Sequence, residues 1–92
     1  MKRRPYIEWV ADMMEISLRE KDNLGYPGWE SMSLTELRDK LIEERNEVDE
    51  EIINGRSIVD LQKECVHEAI TAMFVAAHYD EGMKRLERGF EV

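Results

Sequence analysis

Two helix-start signals, Ser33-Leu34-Thr35-Glu36 and Ser57-Ile58-Val59-Asp60, stand on either side of a stop signal, Asn54-Gly55. In the first, the serine hydroxyl and the glutamate carboxylate can satisfy amides that a helix start leaves orphaned; the second repeats the pattern with aspartate. The glycine supplies the left-handed residue that commonly closes a helix. So short a link forces the helix after it to turn back against the helix before it. The central constraint on this chain is thus an antiparallel helical hairpin.

Helix signals also dominate outside the hairpin, and no segment alternates apolar and polar residues over the length of a strand. Pro5 suits a first helical turn, and Tyr6, Trp9, Val10, Met13, Ile16 and Ser17 recur at helical spacing until Asp22-Asn23-Leu24-Gly25. A turn cluster, Gly25-Tyr26-Pro27-Gly28, leads into a loop through Met32. The last helix is expected to reach Tyr79 or Asp80, with Gly82 ending or weakening it and fraying beyond Arg88-Gly89. The reading is an all-α fold: one domain spanning residues 1–92, a small helical bundle built on the hairpin.

A chain of 92 residues buries a modest core and often leans on a partner subunit or a metal. A homodimer or homotetramer is expected to complete it. Its 21 acidic against 13 basic residues give a net charge of -8, which repels nucleic acid and suits a cation. Lys2-Arg3-Arg4 reads as a solvated terminus. A single cysteine, Cys65, excludes an internal disulfide and a CxxC redox pair, and is read as a small buried residue. No apolar run suggests a membrane span or a signal peptide, so a cytoplasmic protein is the expectation.

The hairpin carries two acidic clusters, Glu43-Glu44-x-x-Glu47 and Glu64-x-x-His67-Glu68. Residues three or four apart share a helix face, so facing clusters can converge on a divalent cation. Leu34, Leu37, Leu41, Val48 and Ile52 form an apolar stripe on the first arm, with Glu44 near its border and Glu47 and Glu51 further along that flank. The second arm has a wide apolar arc centred on Ile58, Leu61, Cys65, Ala69, Ala72 and Ala76, flanked by Val66, Ile70, Met73 and Ala77. Its small residues would allow a close helix approach. Asp60, Glu64, His67, Thr71 and His78 form the remaining stripe, which either completes a polar cleft with Glu44 and Glu47 or faces solvent. Periodicity leaves both open. Imidazole at position 67 suits manganese, zinc, iron or nickel better than magnesium.

The segment Trp29-Glu30-x-Met32-Ser33-Leu34-x-x-Leu37-x-x-x-Leu41-x-Glu43-Glu44-x-x-Glu47-Val48, followed by Glu64-x-x-His67, resembles the MazG-like all-α nucleoside triphosphate pyrophosphohydrolases, in particular their short phage and bacterial forms. The resemblance runs from about Gly25 to Ala77. The family pattern is ExxE, a spacer, then ExxD, whose carboxylates hold magnesium ions against a triphosphate. It maps to Glu44 and Glu47, then Glu64 and His67, with sixteen residues between Glu47 and Glu64. Histidine stands where the pattern has aspartate, Glu68 is one place out of phase, and Ile70 replaces an asparagine common in the short relatives.

The resemblance implies hydrolysis of a (d)NTP to a (d)NMP and pyrophosphate, with Mg2+ or Mn2+ as cofactor. Glu44, Glu47, Glu64 and His67 would be the metal ligands. Glu43 and Glu47 would serve catalysis, with Glu43 orienting water. Lys40, Lys63 or Arg45 would contact phosphate. No Gly-rich phosphate loop is present. Trp29 and Tyr26 are read as anchors of the loop rather than platforms for a base. The histidine opens an alternative: a protein that keeps the fold without turnover and acts by binding a nucleotide or another protein.

Overall fold

A computed structural model of the chain describes residues 2–26, 28–55, 57–78 and 80. Three α-helices and one 3-10 turn make up its regular structure: α1 (Pro5–Asn23), the 3-10 turn Trp29–Ser31, α2 (Leu34–Asn54) and α3 (Ile58–Ala77). No strand occurs among the described residues. The expectations for Gly82 and Arg88-Gly89 lie outside them.

Both starts of the hairpin are capped as their sequences require. The Glu36 amide donates to Ser33 Oγ at 3.1 Å while the Ser33 amide donates to Glu36 Oε1 at 3.3 Å, and the Asp60 amide donates to Ser57 Oγ at 3.3 Å. The stop at Asn54 also holds, but for a different reason from the one expected. Gly55 has φ -37°, not a left-handed value. Its lack of a side chain matters because a Cβ there would sit 2.9 Å from the Glu51 carbonyl oxygen. The left-handed glycine is Gly25, φ +77°, at the end of α1. There the Gly25 amide donates to the Asp22 carbonyl and the Tyr26 amide to the Lys21 carbonyl, the pair of bonds that closes a helix in a Schellman motif.

The hairpin α2–α3 is the main interface, and α1 lies on α3. Leu37 and Ile70, each 1% exposed, form the tightest part of the core with Trp29, Val48 and Val66. Trp29 anchors the loop as expected: its ring stacks on Phe74 with centroids 5.1 Å apart, joining the turn before α2 to the far end of α3. Tyr26 is exposed.

The rotation of α3 about its axis differs from the centre of its apolar arc. Cys65, Ala72, Ala76 and Ile58 are exposed, so the expectation of a buried Cys65 is corrected. Val66 and Ile70, on the flank of that arc, are buried instead, together with Thr71 from the polar stripe. A helix with neighbours on two sides buries the positions between them, and α2 and α1 straddle this flank rather than the arc's centre. On α2, Leu37 and Val48 are buried as expected, whereas Ile52 is exposed. On α1 the half-buried stripe is Val10, Met13, Met14, Ser17, Leu18 and Lys21, leaving Tyr6, Trp9 and Ile16 outside.

Candidate metal centre

Leu37, Leu41, Glu44, Val48 and Glu51 succeed one another along α2 at alternating steps of four and three, the seam spacing of a packed helix pair. Glu44 therefore sits in the core seam, not at its border, and is 5% exposed. A carboxylate so placed needs a compensating partner. One oxygen has one: Glu44 Oε1 lies 3.4 Å from Lys40 Nζ. The other, Oε2, is buried without a hydrogen bond and turns toward α3.

The stripe of α3 whose direction was open turns inward over Glu64, His67 and Thr71. His67 Nδ1 is 3.9 Å from Glu44 Oε2 and 3.7 Å from Glu64 Oε2, too far for hydrogen bonds but suited to donors around a common centre. Glu64 Oε2 is likewise buried and unbonded. One ligand atom each from Glu44, Glu64 and His67 lie within 4.8 Å of one another. Opposed ligands of a cation with bonds of about 2.1 Å are about 4.2 Å apart, so small rotamer adjustments close the set. Two unbonded buried carboxylate oxygens beside an imidazole fit a divalent cation, and the nitrogen donor favours manganese or a later transition metal over magnesium. Thr71 holds the turn of α3 behind His67 by donating from Oγ1 to its carbonyl at 3.0 Å.

The electrostatics of this cluster are those of acids competing for protons. Burial pushes the Glu64 carboxyl up to about 7, assisted by hydrogen bonding to Glu47 and by the charges of Glu47 and Glu44. Burial also raises Glu44, again with help from Glu47. Glu47 moves the other way because it receives hydrogen bonds from Glu64 foremost and also from Glu44. His67 is lowered, first by burial and then by the charges of Lys21 and Lys63. A neutral imidazole is the form that ligates a metal.

The other expected site residues are distributed around this centre. Glu47 is exposed and contacts the cluster through Glu64 and Glu44 rather than joining the three converging donors. With Glu43, Asn46, Glu50, Glu51 and Glu64 it lines an open groove between the arms toward the closed end of the hairpin. Glu43 thus has solvent access beside the cluster. Lys40 is held by Glu44, and exposed Lys63 acts on Glu64 and His67 through its charge. Arg45 is exposed and joins no ion pair among the described residues. Lys21 was invisible to spacing arguments, since its charge acts on His67 from another helix. No helix of the described residues is long and apolar enough to cross a membrane. Comparison with protein families, with curated proteins and with solved structures finds no match to this chain.

Proposed function

We propose that this protein is a metal-dependent pyrophosphohydrolase of MazG-like type, converting a nucleoside triphosphate and water into a nucleoside monophosphate and pyrophosphate. The observation that carries the reading is the convergence of Glu44, Glu64 and His67 from two separate motif halves, with an unbonded, buried oxygen of Glu44 turned into the gap. A cation held there would lower the pKa of a bound water and clamp phosphate oxygens. Glu47, kept ionised by its hydrogen bond from Glu64, would add negative charge beside the cation and hold that water as a hydrogen-bond acceptor. Glu43, open to the groove, orients the same water, while Lys40 and Lys63 meet phosphate charge. Mg2+ and Mn2+ are the candidate cofactors, with Mn2+ favoured by the imidazole. A homodimer or homotetramer in the cytoplasm of a bacterium, or of a phage's host, completes the proposal. Its support is the exposed Cys65, Ala72 and Ala76 on α3.

A second reading rests on one specific residue: His67 stands where the resembled pattern carries aspartate. In it the protein binds a nucleotide or another protein without turning it over. Pyrophosphate release from a nucleotide panel, measured with Mg2+ and with Mn2+ for the natural chain and for His67→Asp, separates the two. A working enzyme is active with Mn2+ from the start, and the substitution shifts its preference to Mg2+. A binding protein begins with almost no turnover and gains it on substitution. Absence of metal and nucleotide binding in both proteins rejects turnover and nucleotide binding alike and leaves a helical bundle that is structural or binds another protein.

A further inference from the structure

We infer that Lys40 is a positioning residue of the metal centre: by holding one oxygen of Glu44 it limits that carboxylate to a single bond with the cation and so selects small octahedral ions over calcium. The inference rests on the metal-centre reading above and deepens it from which residues bind to which ions they admit. Glu44 is 5% exposed, so its carboxylate cannot turn out to water, and its two oxygens have different surroundings. Oε1 lies 3.4 Å from Lys40 Nζ, while Oε2 has no hydrogen bond and lies 3.9 Å from His67 Nδ1, on the side of the converging donors. One oxygen is taken and the other is offered.

Helix stability does not account for this pair. Lysine four residues before glutamate is the weaker order for a helical ion pair, and the Lys40 side chain is 41% exposed, where such pairs add little. What Lys40 supplies is a counter-charge for a carboxylate enclosed by the core. A carboxylate that clasped the cation with both oxygens would give up that counter-charge and leave the ammonium facing the charge of the metal. Calcium takes about six to eight oxygens and often both from one carboxylate, whereas magnesium and manganese suit an octahedral shell of single donors and water. An ammonium has three N–H groups, so the same lysine can still meet phosphate.

Titration calorimetry on the full chain at pH 8, with Mn2+ and with Ca2+ in separate runs, tests this, and water-proton relaxation reports the water left on bound Mn2+. Removing a positive charge beside the site strengthens both divalent ions alike, so the decisive quantity is the ratio of their affinities. Lys40→Met, which keeps the length of the stem, is expected to gain about tenfold more affinity for Ca2+ than for Mn2+, the worth of one added charge-assisted contact. The relaxivity of its bound Mn2+ is expected to fall as the second Glu44 oxygen displaces water. Lys40→Ala repeats the comparison if Lys40→Met melts early. Equal changes for the two ions, gains or losses, or an unchanged relaxivity reduce Lys40 to a nearby charge or a structural residue and overturn the inference while leaving the metal centre standing. A natural chain that binds no Mn2+ overturns the metal centre and this inference with it.

Discussion

Glu64 keeps its proton to about pH 7 because burial disfavours the carboxylate and Glu47 accepts from it. A carboxyl raised in the folded chain stabilises it fully below the unfolded value of about 4.5, and that contribution disappears as pH rises through about 7. His67, lowered by burial and by Lys21, works in the opposite sense: its contribution is present above its ordinary value of about 6.5 and is lost as pH falls. Glu64→Gln isolates the first effect, since the amide copies the protonated acid. Without metal, thermal melts should find Glu64→Gln more stable than the natural chain by the order of 1–2 kcal/mol at pH 8 and equal to it at pH 4. Added Mn2+ should raise the melting temperature of the natural chain at pH 8 by mass action, and neither Glu64→Gln nor Glu44→Gln should share that gain. Glu44, Glu64 and His67 were legible as a group because three- and four-residue steps on a helix are local geometry. Lys21 was not, because only packing of α1 on α3 brings its charge to bear on His67.

Helix ends were the most readable elements, and the chemistry is again local: Ser33 with Glu36 and Ser57 with Asp60 satisfy amides within one turn of themselves. Ser33→Ala should cost about 1 kcal/mol in denaturant unfolding, compared with about 2–5 kcal/mol for Leu37→Ala in the fully buried position beneath it. The rotation of α3 resisted reading for a physical reason. An arc as wide as Cys65, Val66, Ala69, Ile70, Ala72 and Met73 can present any of several faces to a neighbour, and the choice fell to where α1 and α2 lie. Gly55 offers a similar lesson. A glycine predicted for backbone conformation is needed for clearance from the Glu51 carbonyl, so Gly55→Ala should destabilise the hairpin even though its φ is negative.

At the scale of the whole molecule, three helices leave much apolar surface uncovered: Trp9 and Ile16 on α1, Ile52 and Ile53 on α2, Ile58 and Val59 on α3. Sedimentation equilibrium at micromolar concentration should find a dimer or tetramer, and Ala72→Glu on the outward face of α3 should shift it toward monomer; a natural chain that is monomeric throughout rejects the oligomer. The hairpin and the 3-10 turn before it hold the well-buried positions, whereas α1 contains none. Helices without anchored side chains open at low free energy while the rest stays folded. Amide hydrogens of α1 should therefore exchange faster than those of α2 near Leu37 or of α3 near Ile70. Each such opening bares the face of α3 that α1 covers while the hairpin stays folded, so the exchange rate of α1 amides becomes a clock for how often that face meets solvent.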